Sequence, residues 1–82
     1  MRVKLHWMAV LRERMGEGTT TVELPDGATV RDLTRALETL RPDLRIYWQT
    51  VRWARADRYL DETSSLEDGE ELYAIPPVSG GF

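Results

Sequence analysis

The sequence predicts an α+β domain in which one main helix packs across a small mixed sheet. Apolar residues recur at every second position near both ends of the chain, they recur at helical spacing in the middle, and proline or glycine turns separate these segments. At 82 residues the chain is long enough for one hydrophobic core and too short for two. We therefore expect one domain over residues 1–77 and a flexible glycine-containing tail over residues 78–82.

The first two strands are predicted from alternation and from β-branched residues. Residues 11–15 predict a short helical turn that ends at Gly16. Residues 19–24 are rich in threonine and valine, which favours a second strand, so the two strands form a hairpin with a long connection. We expect the odd positions of the opening strand to face the core, and these are Val3, Leu5, Trp7 and Ala9.

The main helix is predicted to begin after residue 29. Residues 25–27 form a strong turn signal, and Thr29 is placed as the N-cap with Asp32 three residues later, a variant of the capping box. The pair Arg41-Pro42 ends the pattern because the residue before a proline disfavours helix. The apolar face at helical spacing consists of Val30, Leu33, Ala36, Leu37 and Leu40.

The second half of the chain is harder to interpret. Residues 43–60 fit neither period cleanly. We expect a strand from about 51 to 56, a tight turn at 57–58 and a short strand at 59–60. The last strand is predicted at 71–75, and we expect it to lie adjacent and parallel to the first strand.

Composition excludes several classes of protein and site. Cysteine is absent, which rules out disulfides, thiolate metal ligands and cysteine catalysis. The net charge of −3 has the wrong sign for a nucleic-acid binder, and no apolar run approaches the length of a membrane span. We therefore expect a cytoplasmic protein that binds neither nucleic acid nor membrane. The single histidine, His6, is predicted to lie on the surface, and we expect no metal site.

No group of residues predicts catalysis by this chain. Ser64, Ser65 and Ser79 have no second histidine with which to form a nucleophilic triad. Gly16-Glu17-Gly18 lacks the third glycine and the following helix of a phosphate-binding loop. We therefore expect that the chain itself binds no cofactor.

Charge is unevenly distributed along the chain. All 11 basic residues lie at or before Arg58. The acidic residues that follow are Asp61, Glu62, Glu67, Asp68, Glu70 and Glu71. Two interpretations stay open: a solvated turn and strand edge, which is the default for a run of charge, or an acidic surface that steers the tail toward a basic partner.

The final residues carry the most specific motif. A pair of glycines near a terminus indicates by itself only fraying. Here Gly80-Gly81 follows Pro76-Pro77-Val78-Ser79, and that run comes after the acidic turn and strand of residues 66–75. Together with residues 11–13 and 29–33, these segments resemble the small-subunit family of molybdopterin synthase, the ubiquitin-like sulfur carriers of the β-grasp fold. The resemblance runs from end to end.

The resemblance implies a carrier whose catalytic residues belong to its partners. An E1-like adenylating enzyme uses ATP to activate the carboxylate of Gly81, and a sulfur donor system converts it to a thiocarboxylate. This tail enters the large subunit of molybdopterin synthase and donates sulfur for the dithiolene of the molybdenum cofactor. Gly80 and Gly81 lack a Cβ that would clash in a narrow channel. The family suggests a heterotetramer of two carriers on a dimer of large subunits.

An expected docking surface lies on the outer side of the sheet. Alternation places Met8 and Val10 on the outer face of the first strand, and Tyr73 and Ile75 on the outer face of the last. The resemblance implies that Met8, Tyr59 and Ile75 contact the large subunit. The alternative is a set of scattered surface hydrophobes. Further partner contacts are implied along the tail, at Pro76, Pro77, Val78 and Ser79.

Two departures from the family affect these expectations. Phe82 follows Gly81, so the carbonyl of Gly81 is held in an amide, and we expect a protease to remove Phe82 first. Ala56 stands where the family usually has an asparagine, which affects the local turn. The alternatives are a carrier for thiamin synthesis, tRNA thiolation or lysine-linked modification, and a β-grasp binding module whose blocked tail is never activated.

Overall fold

A computed structural model describes residues 1–77 of the chain. No helix within this part is long and apolar enough to cross a membrane. The elements in chain order are β1 (Arg2–Trp7), α1 (Val10–Met15), β2 (Thr19–Glu23), α2 (Val30–Leu40), a 3-10 turn (Pro42–Leu44), α3 (Arg45–Thr50), β3 (Arg52–Arg55), β4 (Arg58–Tyr59) and β5 (Glu71–Ile75).

The five strands form one mixed sheet in the order β2-β1-β5-β3-β4. β1 and β5 are adjacent and parallel, with Leu5 opposite Leu72, and the other neighbouring strands are antiparallel. The predicted small mixed sheet and the pairing of the first and last strands are therefore confirmed. The last strand lies at the centre of the sheet, so the chain leaves residue 75 from a strand that is held on both sides.

The start of α2 follows from its capping residues. Thr29 is the N-cap in extended conformation, and its side chain accepts a hydrogen bond from the backbone N–H of Asp32. The Asp32 carboxylate accepts the backbone N–H of Thr29 in return at 2.9 Å. This reciprocal pair satisfies two of the free donors at the helix start, as the sequence predicted.

One hydrophobic core fills the space between the sheet and the helices. The buried residues of β1, β5 and α2 include the predicted Val3, Leu5, Trp7, Val30, Leu33 and Leu37, together with Leu72 and Ala74. The prediction for Leu40 was wrong, because its side chain is 64% exposed. Past Leu37, the residues that complete the core are Leu44 and Trp48, which are both buried. They lie in the 3-10 turn and α3, which pack against α2 after the chain turns at Arg41.

The helix α3 was missed in the sequence. It is six residues long and presents only Trp48 fully to the core, so no helical period could be recognised there. The Trp48 indole donates to the carbonyl oxygen of Arg41 at 2.9 Å, which ties α3 to the end of α2. Trp7 lies between Trp48 and Trp53, with ring centroids at 5.7 and 6.1 Å.

Two local predictions near turns need correction. Ala9 is exposed and does not face the core, because β1 ends at Trp7 and Ala9 adopts φ 50° and ψ −128° at the junction with α1. The short strand β4 is Arg58–Tyr59, one residue earlier than predicted, because the preceding turn is at residues 56–57. In that turn Ala56 has φ 50°, a backbone conformation that asparagine or glycine adopts more readily.

Candidate functional site

The outer face of the sheet carries two rows of side chains at the end where the chain leaves β5. Burial alternates along β1 and β5, so residues on either side of a core residue point to the outer face. In the first row His6 lies opposite Tyr73, and Tyr73 lies opposite Ala54. In the second row the Met8 backbone N–H donates to the Ala74 carbonyl at 3.2 Å, which places Met8 beside Ile75.

Three predicted docking residues share this part of the sheet. Met8 is 42% exposed and Tyr59 is 55% exposed, while Ile75 is half-buried between them and also lines a concavity of about 230 Å³ with Tyr59. We call Met8, Tyr59, Tyr73 and Ile75 the docking face. Met8 and Tyr59 thus keep about half of their surface exposed within residues 1–77, and this apolar surface is open to a partner.

One basic side chain borders the docking face and was missed in the sequence. Arg52 lies opposite Ile75 on β3, and its guanidinium stands over the ring of Tyr59 at 4.4 Å from the centroid. This cation–π contact holds Tyr59 against the sheet in spite of its exposure. Strand pairing brings the two residues together, and no sequence period marks such a pair.

A polar cluster borders the docking face toward the start of β5. His6 Nε2 and Glu71 Oε1 lie 2.6 Å apart, and the imidazole stacks on Tyr73 with ring centroids 4.6 Å apart. The hydrogen bond with His6 lowers the pKa of the Glu71 carboxyl from its usual value. His6 is therefore on the outer side, as predicted, but it is largely covered and serves to fix Tyr73.

The prediction for Val10 was wrong. Val10 is the first residue of α1 and not part of the outer face, since β1 has already ended and the backbone turns at Ala9. Val10 instead contributes to a groove of about 420 Å³ on the other side of the chain exit. We call this the tail-root groove, and it is lined by Val10, Ile46, Tyr47, Thr50, Pro76 and Pro77.

The tail begins between these two surfaces. Pro76 is half-buried and Pro77 is exposed at the end of the central strand β5. The predictions for Val78, Ser79, Gly80 and Gly81, and for Phe82 after them, lie outside the described residues and stay predictions.

Several acidic residues of the C-terminal half have structural partners. Glu62 pairs with Arg31 at 2.6 Å, and Glu70 pairs with Arg55. The Asp68 carboxylate accepts the backbone N–H of Arg2 at 2.8 Å. These contacts support the interpretation of a solvated turn that is tied to the sheet, and the steering of a basic partner stays a prediction. Within residues 1–77, no group of three His, Asp or Glu side chains could hold a metal ion.

Comparisons with known proteins cover nearly the whole chain. The model of the ThiS family matches residues 5–81, a range that includes the paired glycines. The molybdopterin synthase sulfur carrier subunit of Chlamydomonas reinhardtii is 35% identical over 83 residues, which cover 99% of this chain and 100% of that protein.

Solved structures agree with the architecture. A protein described as molybdopterin converting factor subunit 1 from Pyrococcus furiosus has a TM-score of 0.82 at 29% identity, covering 95% of this chain and 99% of its own. A ubiquitin of Caldiarchaeum subterraneum, at 20% identity, has a TM-score of 0.68 and covers 99% of this chain and 98% of its own, which shows the fold alone. The predicted ubiquitin-like β-grasp fold is confirmed, and the chain belongs to the ThiS family.

Proposed function

We propose that the chain is the sulfur-carrier subunit of a molybdopterin synthase. It delivers sulfur as a thiocarboxylate on Gly81, and the large subunit uses that sulfur to build the dithiolene of the molybdenum cofactor. The chain is a carrier without catalytic residues of its own. It binds no cofactor, and it works in the cytoplasm with the large subunit as a heterotetramer.

One observation supports this proposal most directly. The match to the ThiS family extends to residue 81, and those last residues follow a central strand whose exit is flanked by an open apolar surface. A relative 35% identical over the full length carries the name of a molybdopterin synthase sulfur carrier subunit. A folded domain with an apolar docking face is suited to bind another protein and to present its narrow C-terminal segment to that protein.

The docking face is proposed to contact the large subunit through Met8, Tyr59 and Ile75. These side chains combine aliphatic and aromatic surface with Arg52 beside them, a composition that is enriched at the centres of protein interfaces. Pro76 and Pro77 lead from this face into the tail, and Val78 and Ser79 continue toward the paired glycines. Contact through the docking face therefore determines where the carbonyl group of Gly81 is placed in the large subunit.

Activation of the tail requires a free carboxylate on Gly81. An E1-like enzyme joins that carboxylate to the AMP part of ATP and releases pyrophosphate. A sulfur nucleophile from a donor system then forms a bond to the Gly81 carbonyl carbon, the carbon–oxygen bond to AMP breaks, and AMP leaves. Because Phe82 holds this carbonyl in an amide, hydrolysis of the Gly81–Phe82 bond comes first.

The proposal is tested by comparing the full chain with a version that ends at Gly81. Each is incubated with the activating enzyme, ATP and a sulfur source, and its intact mass is measured. We expect only the trimmed chain to gain the mass difference between sulfur and oxygen. A trimmed chain lacking Gly81 is the control and should stay unchanged. A trimmed chain ending at Gly81 that gains no sulfur would contradict the carrier function.

A second candidate is a binding module that is never activated, and the presence of Phe82 after Gly81 favours it. Such a module would use the docking face alone. It predicts a complex with the large subunit that survives deletion of Gly80, Gly81 and Phe82, with no activity gained by trimming. The carrier predicts that the same deletion abolishes sulfur transfer although the complex still forms.

A further inference from the structure

A second apolar surface, the tail-root groove, lies beside the exit of the chain and is separate from the docking face. Ile46 of α3 is its exposed aliphatic member, at 69% exposure, and Val10 and Tyr47 are half-buried around it. None of the residues that line the groove carries a formal charge. The Thr50 hydroxyl already donates to the Ile46 carbonyl at 3.1 Å, so the groove suits an apolar occupant.

The position of the groove limits what can cover it. Pro77 is part of its lining, and Gly81 lies four residues further along the chain. Four extended residues span at most about 14 Å. An enzyme that encloses Gly81 therefore has the mouth of its channel within this distance of Pro77. A partner surface around that mouth is near enough to contact the groove on one side of β5 and the docking face on the other.

The chain's own residues 78–82 are a poorer occupant. Within this segment only Val78 and Phe82 have large apolar side chains, so Ser79, Gly80 and Gly81 would add little buried apolar area to the groove. Ordering a residue's backbone opposes docking at each position, whereas only those two positions return burial energy. A partner that already holds the tail brings a preformed apolar surface and avoids most of that ordering.

We propose that the tail-root groove is a second contact site for the large subunit and accepts an apolar side chain from the rim of the channel that takes the tail. This inference rests on the proposed function. The partner then holds the exit of β5 from both sides, with the docking face on the sheet and Ile46 on α3. Two separated contacts fix the direction of the tail better than one, since rotation about a single patch is removed.

The test compares Ile46→Glu with a matched control, Leu40→Glu. Both wild-type side chains are large, aliphatic, exposed and helical, but Leu40 ends α2 and does not line the groove. The Kd of each variant, ending at Gly81 as in the proposed active carrier, is measured for the purified large subunit by calorimetry. We expect Ile46→Glu to raise the Kd about tenfold or more, as for a contact at an interface centre, and Leu40→Glu to leave it nearly unchanged.

Further variants and outcomes separate the possible explanations. Ile46→Met keeps an apolar side chain and should bind like the unaltered chain. Urea unfolding of Ile46→Glu followed by tryptophan fluorescence should match that of the unaltered chain, which excludes unfolding of α3, where Trp48 lies, as the cause of the loss. If Ile46→Glu binds as well as Leu40→Glu while the unaltered chain binds, the groove proposal alone is overturned. Self-association of the chain that Ile46→Glu abolishes, with large-subunit binding intact, also overturns it. No binding by the otherwise unaltered chain that ends at Gly81 contradicts the proposed function itself.

Discussion

The two faces of the five-stranded sheet differ in their role, because one packs against the helices and the other is open to a partner. On the inner face Leu5 and Leu72 are completely buried under the helices. One position along, on the outer face, Tyr73 and Ile75 are half-open, and Met8 beside them is exposed. Neighbouring residues of one strand thus belong to different surfaces. Substitutions on the inner face should change stability, and substitutions on the outer face should change binding.

The largest effect is expected for Leu72→Ala on the inner face. Leu72 is fully buried in the central strand, so truncation leaves a cavity and should lower the free energy of unfolding by about 2–5 kcal/mol. Urea unfolding followed by tryptophan fluorescence measures this change. The exposed Leu40→Ala serves as the control and should stay within about 0.5 kcal/mol. Equal losses at the two positions would contradict the assignment of the inner face.

On the outer face, Ile75→Glu should weaken binding with little effect on stability. Ile75 is half-buried at the end of β5, and Arg52 opposite it can pair with the new carboxylate. The change in unfolding free energy should therefore be small. The partner would then cover a charged carboxylate in place of an apolar side chain, and we expect a loss of about 2 kcal/mol in binding, or roughly 30-fold in Kd. Unchanged affinity for the large subunit would remove Ile75 from the interface.

A smaller effect of opposite sign is expected for Ala9→Gly, at the junction where the chain leaves the outer face. Ala9 has φ 50° and ψ −128°, a region that glycine occupies without strain. Relief of this strain exceeds the extra entropy of the unfolded glycine, so we expect a gain of about 0.5–1 kcal/mol by thermal unfolding. Ala36→Gly within α2 is the control and should lose about 1 kcal/mol. A loss at both positions would contradict strain at Ala9.

The smallest effect concerns acid stability and the cap of the helix that covers the inner face. The hydrogen bond from the Thr29 backbone N–H lowers the pKa of Asp32 below its unfolded value of about 3.9. The ionised Asp32 carboxylate therefore stabilises the folded state above about pH 3.9, and this stabilisation is lost as the pH falls through the lower pKa of the folded state. In melting curves between neutral pH and about pH 2, Asp32→Asn should show a weaker decline than the unaltered chain. An identical decline in both would assign acid sensitivity to other groups, such as Asp43 with Arg41 or Glu71 with His6.

The sequence predicts secondary structure and burial correctly where the local pattern and the tertiary contacts require the same arrangement. The period of two in β1 and the capping pair Thr29 and Asp32 both specify local geometry and burial together. Leu40 follows the helical period, but it is exposed because Leu44 and Trp48 complete the core at that end of α2. That outcome depends on contacts between distant segments, and no local pattern contains it.

The same reasoning applies to the candidate site. Met8 and Ile75 could be placed together because parallel pairing of the first and last strands follows from topology rules. The tail-root groove could not be predicted, since it is formed by α1, α3 and the residues after β5, and α3 is too short to show a period. The cover of Arg52 over Tyr59 depends likewise on pairing across the sheet.

Sulfur transfer in a single turnover tests most directly whether this fold carries sulfur for a partner. The chain bearing a thiocarboxylate on Gly81 is mixed with the large subunit and the cyclic pterin precursor, and the intact mass of the carrier is followed over time. We expect the carrier to return to the carboxylate form only when both components are present, and more slowly for Ile75→Glu. A carrier that keeps its sulfur in the complete mixture would contradict the proposed function.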